Sequence, residues 1–234
     1  MKEQYPSVVF IPGFMLNESL WDDIIQYFPK HWNIYRANLK QGLTIKEIAE
    51  NIVKDAPSQF ILIGFSLGGY IARYLASQFP EKVSSLILIA SSLRDDTEDQ
   101  KERKLRAISK NSSKNFKGLS RIAISKTLHP SQQKNDELIQ RIQKMGNDIG
   151  YETFVTLSLL DRNINNSNTI NCPTLIIYGA QDLIRSHEES IELVNLIPNS
   201  DINVIDHTGH MIPLEQPQKL AISILDWLKE IKHQ

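Results

Sequence analysis

The 234-residue chain has one cysteine, Cys172, which excludes an intramolecular disulfide and removes cysteine-based zinc sites. Long hydrophobic runs are also missing. The longest apolar stretch near the start, Val8 to Leu16, is broken by Pro12 and Gly13 and has no small-residue cleavage site, so no signal peptide is read. Nothing approaches the roughly 20 apolar residues of a transmembrane helix. Net charge is −1, too little for bulk attraction to nucleic acid or a membrane surface. No Gly-x4-Gly-Lys-Ser/Thr phosphate loop is present. A soluble protein of a reducing compartment, the cytoplasm, is the expectation. What remains is ordinary globular material, 41% hydrophobic and 23% charged, which excludes disordered and fibrous classes. A chain of this length buries about 70–75% of its unfolded surface and needs no metal or disulfide to fold.

Two periodicities alternate along the first 91 residues. Val8-Val9-Phe10-Ile11 is a continuous apolar run ended by Pro12-Gly13, as expected of a strand buried on both faces. A helix starting near Asn17 carries Leu20, Trp21, Ile24 and Ile25 inward, and a weak strand follows around Trp32 to Arg36. Ile45, Ile48, Ala49, Ile52 and Val53 repeat at helical spacing. Phe60 to Ile63 reads as a buried strand stopped by Gly64, Leu67 to Leu75 as the next helical stripe, and Val83 to Ile89 as a third apolar strand. The pattern returns with strands at Thr174–Tyr178 and Ile202–Ile205. A helix marked by Ile191, Val194 and Ile197 lies between them, and a final helix carries Leu220, Ile224, Trp227, Leu228 and Ile231. Apolar strands alternating with helices predict an α/β fold: a mainly parallel sheet of about six strands with helices on both faces.

Residues 92–171 differ. They are polar, lack a strand pattern and keep helical stripes such as Leu138, Ile139, Ile142 and Met145. They read as a helical insertion dividing a core made of 1–91 and 172–234.

The sharpest chemical signal is Gly64-Phe65-Ser66-Leu67-Gly68, between a predicted strand and a predicted helix. Such a tight turn holds its serine in a strained backbone above the strand end, where helix N–H groups favour developing negative charge. A serine nucleophile needs a base and an orienting acid. The histidines are His31, His129, His187, His207, His210 and His233. His210, after Gly209 beyond the last strand, is the candidate base, with His207 as rival. For the acid, Asp182 directly follows a buried strand, with Asp206, Asp95 and Asp96 as rivals. His187-Glu188-Glu189 reads as a solvated helix face, not a metal site. Cys172 reads as a small hydrophobe at a strand start.

Gly-Phe-Ser-Leu-Gly-Gly after one strand, Gly179-Ala-Gln-Asp182 after another, and Gly209-His-Met-Ile-Pro-Leu-Glu-Gln-Pro217 after the last resemble the α/β-hydrolase superfamily in order and context. The resemblance covers residues 6–232 and puts 92–171 where that family carries a cap. It implies a Ser66–Asp182–His210 triad and an oxyanion hole made of the Leu67 N–H and the N–H of Phe14, in the loop after the first strand. This loop has Pro12 before Gly13 where the family commonly has His-Gly. Trp21 is implied to pack that loop, and Glu215 and Pro217 to fix the following helix. The chain lacks the N-terminal strand pair of larger members, as trimmed esterases, thioesterases, enol-lactonases and acyl-carrier methyl esterases do.

The implied activity is acyl transfer from a small-molecule ester or thioester through an acyl-enzyme, with no metal or cofactor. The same triad serves lactonases and carbon–carbon bond hydrolases, and the same fold serves ligand-binding proteins of low activity. Residues 101–126 hold nine lysines and arginines against Glu102, a charge of +8 that leaves −9 elsewhere. A basic cap on an acidic core is either a solvated face or a docking surface for an acidic acyl-carrier protein or CoA.

Overall fold

The computed structural model describes residues 5–164 and 169–231. His233 lies outside them. Six strands form one sheet: β1 (Ser7–Ile11), β2 (Asn33–Arg36), β3 (Phe60–Phe65), β4 (Val83–Ile89), β5 (Thr174–Gly179) and β6 (Ser200–Ile205). Their order is β2-β1-β3-β4-β5-β6, and every pairing is parallel. The helices are α1 (Asp22–Ile25), α2 (Ile45–Asp55), α3 (Leu67–Gln78), α4 (Glu98–Ser109), α5 (Arg121–Ser125), α6 (Asp136–Ile149), α7 (Tyr151–Leu159), α8 (His187–Leu196), α9 (Ile212–Glu215) and α10 (Pro217–Glu230).

Strand periodicity of two divides the core. Val8 and Phe10 of β1, Ile61, Ile63 and Phe65 of β3, and Ile87 and Ile89 of β4 face α1, α9 and α10. The alternate residues Val9, Ile11, Phe60, Leu62, Leu86 and Leu88 pack with α2, α3 and α8. Each such side chain, taken fully from water, stabilises the fold by about 1.5–3 kcal/mol. The edge strands β2 and β6 are exposed along most of their length, which is why the sequence shows only weak runs there.

From β1 the chain crosses to β2 at one edge, returns past β1 to β3, and then advances to β6. The direction of winding reverses between β1 and β3, and a crevice opens at that point beyond the strands' C-terminal ends. The loop after β1 and the turn after β3 flank it. Between β4 and β5, residues 92–171 contribute α4, α5, α6 and α7 and, among the described residues, no strand.

Two local expectations are corrected. β3 does not stop at Gly64 but stays paired to β4 through Phe65, because a glycine is no obstacle to parallel pairing. The helix expected from Asn17 is a 3-10 turn, Glu18–Trp21, capped by the Asn17 side chain and followed by the four residues of α1; Leu20, Trp21 and Ile24 are still buried. On α8 the inward face is Glu189, Ser190 and Leu193, while Ile191 points outward.

Candidate active site

The chain turns sharply at Ser66, between the end of β3 and the first residue of α3. Ser66 adopts φ +51° and ψ −112°, a conformation that a side chain tolerates only when its surroundings enforce it. The enforcement is visible. Its N–H donates to Ile89 O on β4 at 2.9 Å, and its carbonyl accepts from Gly69 N–H and the Ser91 hydroxyl, each at 3.0 Å. The flanking glycines are required by close approach. A Cβ on Gly64 would lie 2.5 Å from Gly68 O and 2.7 Å from Ala72 Cβ, and one on Gly68 would strike the Ile11 and Pro12 carbonyls.

His210 reaches this serine from the loop after β6. Its Nε2 lies 3.0 Å from Ser66 Oγ, and its Nδ1 lies 2.8 Å from Asp182 Oδ2, on the loop after β5. The His210 side chain is 6% exposed and that of Asp182 is fully buried. The second Asp182 oxygen accepts the N–H groups of Ile184 and Arg185 at 2.7 and 3.0 Å, which fixes the carboxylate plane. A carboxylate at Nδ1 keeps the proton there and leaves the Nε2 lone pair facing the hydroxyl. The rivals go elsewhere. His207 is exposed, with its ring edge-on to His129; Asp206 is exposed on the same loop; Asp96 is buried against Lys104 and Arg162.

Two contacts tie the histidine loop down. The His210 N–H donates to Thr127 O at 2.7 Å, across from the segment between β4 and β5. Glu215 accepts from Gly209 N–H at 2.9 Å, the Thr208 hydroxyl at 3.0 Å and His129 N–H at 2.6 Å. Burial raises the Glu215 carboxyl above its ordinary value, and these three donors oppose the rise. Glu215 therefore does more than fix a helix: it joins the histidine loop to the inserted segment. Phe14 and Leu67 stand on opposite sides of the Ser66 turn, after β1 and at the start of α3. Among the described residues, neither N–H takes part in the backbone hydrogen bonds of turns and loops.

Ser66 and His210 line a cavity of about 400 Å³. Phe14, Leu16, Phe154 and Met211 give it an apolar side, and Asp96, Lys104, Arg162 and Arg185 a charged one. Sequence reasoning missed the charged wall, since Arg162 and Arg185 follow no local pattern. It also misjudged His187-Glu188-Glu189 as wholly solvated. His187 stacks on Tyr178 at 4.9 Å, and Glu189 is buried against Arg185. Burial pushes the Glu189 carboxyl up, but the Ser92 hydroxyl, the Ser186 N–H and Arg185 outweigh it and hold the group below its ordinary value. Cys172 is half-buried against the core, and burial raises its thiol.

The family model for the alpha/beta hydrolase fold matches residues 56–217, more than half of the chain. The chain belongs to the α/β-hydrolase fold family. A monoacylglycerol lipase of Homo sapiens is 22% identical over 97% of this chain and 76% of its own length. A pimeloyl-[acyl-carrier protein] methyl ester esterase of Hamiltonella defensa is 35% identical over 36% of each chain. Among solved structures, a thermophilic esterase from Thermogutta terrifontis superposes with a TM-score of 0.81 at 22% identity, covering 97% of this chain and 90% of its own. The enol-lactonase from Burkholderia xenovorans LB400 gives 0.82 at 15%, covering 97% and 92%. The protein is an α/β-hydrolase enzyme. Among the described residues, no helix is long and apolar enough to cross a membrane.

Proposed function

We propose that this α/β-hydrolase cleaves a small carboxylic ester or thioester through an acyl-enzyme on Ser66. The observation that carries the reading is the relay from buried Asp182 through His210 to a strained Ser66 at a cavity wall. Ser66 Oγ attacks the substrate carbonyl carbon as its proton passes to His210 Nε2. Asp182 holds the imidazole and stabilises its positive charge. The Phe14 and Leu67 N–H groups receive the tetrahedral oxyanion; the loss of one such donor costs about 3–4 kcal/mol of barrier. The carbonyl re-forms, the bond to the alcohol or thiol breaks, and His210 protonates the leaving group. Water, deprotonated by His210, then attacks the acyl-Ser66 ester and releases the acid. Residues 92–171 act as a cap over the pocket and supply Lys104, Phe154 and Arg162 to its wall.

The cap is also the docking face for an acidic acyl-carrier protein or CoA. Of its basic residues, Lys101, Lys104, Arg106 and Arg121 pair with acidic side chains. Lys110, Lys114 and Lys117 stand exposed and are among the cations available to such a partner. The reading is tested with a panel of neutral esters, CoA thioesters and a lactone: ester or thioester turnover that disappears in Ser66→Ala supports it. Lactone turnover alone would replace it with a lactonase on the same three residues.

A further inference from the structure

The charged wall of the cavity has more cations than carboxylates. Arg103, Lys104, Arg162 and Arg185 line it, with Asp96 as the single carboxylate lining it and Glu189 behind Arg185. Lys104 and Arg162 share Asp96, and the side chains of Lys104, Arg162 and Arg185 are only 11–19% exposed. Buried ion pairs that serve stability alone gain nothing from a surplus of one sign, since each unmatched charge adds a desolvation cost. The surplus is held rigidly. The guanidinium carbons of Arg162 and Arg185 lie 5.6 and 5.8 Å from the centroid of the Tyr70 ring, beside that of Arg73, which does not line the cavity, and the buried Nε atoms of Arg162 and Arg185 have no acceptor among the described residues. Burial lowers the Lys104 ammonium, and neighbouring Arg162 lowers it further. Ser158, four residues before Arg162, is 4% exposed and lines the same cavity, and its Oγ has no partner among the described residues. A wall of under-neutralised cations and an unengaged hydroxyl, inside the cavity that holds Ser66, is built to receive negative oxygen atoms.

We propose that this wall is a subsite for an anionic oxygen group on the substrate itself, so that the preferred substrate is a half-ester: one end an ester presented to Ser66, the other a free carboxylate or a phosphate held by Arg162, Lys104 and Ser158, with Arg103 and Arg185 beside them. The proposal rests on the ester-hydrolase reading above but adds to it, because an acyl-enzyme mechanism alone requires no second charged group. It is also distinct from carrier docking on the cap exterior, since the recognised charge enters the cavity.

Binding and turnover test it separately. Calorimetry on the Ser66→Ala protein compares monomethyl adipate with dimethyl adipate, and hydrolysis of both is followed in the wild type. The expected result is at least about tenfold tighter binding of the half-ester and a matching preference in kcat/KM, expressed through KM. Arg162→Gln should reduce that preference at least fivefold, and Ser158→Ala by a smaller factor. Arg103→Gln, at an exposed position where folding is not at stake, should also reduce it. Lys46→Gln, on the distant surface of α2, should leave it unchanged. Adipate competing better than inorganic phosphate assigns the subsite to carboxylate; the reverse order assigns it to phosphate. Equal binding of the two adipate esters, or a preference unaltered by Arg103→Gln and Ser158→Ala together, overturns the proposal. Tight half-ester binding without turnover by the wild type would uphold the subsite and overturn the ester-hydrolase reading instead.

Discussion

The C-terminal edge of the sheet and the helical segment between β4 and β5 border the same cavity but are organised in opposite ways. At the sheet edge each of the three proposed catalytic side chains lies close in sequence to the strand that places it. Ser66 follows β3 directly, Asp182 comes soon after β5, and His210 soon after β6. Parallel strands that end together bring the three within hydrogen-bonding distance. In the inserted segment, Arg162 is placed by partners far away in the chain, Asp96 and the Tyr70 ring, and Lys104 pairs with the same Asp96. The groups proposed to make and break bonds sit on the sheet layer. The groups proposed to select a substrate sit on the inserted layer, the one more able to change without disturbing the sheet.

The sharpest way to break this comparison is at the sheet edge. Ser66→Ala and His210→Ala should each lower ester turnover by about 10³-fold or more while the protein keeps its melting temperature, because the three groups act as a unit. Retention of a tenth of wild-type turnover by either would place the chemistry elsewhere. Asp182→Asn should cost about 10²–10⁴-fold by favouring the wrong imidazole tautomer, whereas Asp206→Asn should be close to neutral. Parity between the two aspartate variants in a side-by-side kinetic assay would move the acid to position 206.

Where the two regions join, a smaller and mixed effect is expected. Glu215→Gln replaces one acceptor oxygen with an amide that faces donors from Thr208, Gly209 or His129. The cost should be about 1.5–3 kcal/mol in urea unfolding, with a drop in kcat of about tenfold as the histidine loop loosens. A kcat loss with no stability loss would show that Glu215 does not join the loop to the cap. The smallest effect belongs to the outer face of the inserted segment. Changing Lys110, Lys114 and Lys117 to Glu should lower the ratio of CoA-thioester to neutral-ester turnover by a few-fold, and added salt should do the same, since exposed charges contribute about 0–1 kcal/mol each and are screened within about 8 Å. Lys104 is unsuited to this test. Charge reversal there would set a carboxylate against Asp96 inside the cavity.

The same contrast governs what could be read from the chain. Apolar runs such as Phe60–Ile63 and Leu86–Ile89 announced buried parallel strands because both of their faces are covered. The Gly-x-Ser-x-Gly turn announced the strained serine because β1 and α3 approach too closely there for side chains. Glu189 looked solvated because residue spacing does not show its partners, and its burial depends on Arg185 and Ser92 supplied from other loops. Arg162 was invisible for a related reason. A lone arginine beyond a helix end looks like solvent-exposed surface until a remote aspartate and a remote tyrosine ring enclose it.

Covalent labelling tests most directly whether Ser66 is an activated nucleophile. Incubation with a fluorophosphonate followed by peptide mass analysis should give a single adduct on Ser66 within minutes, slowed strongly in His210→Ala and absent in Ser66→Ala. No labelling of the folded wild type, or an adduct carried by another residue in the Ser66→Ala protein, would contradict the account.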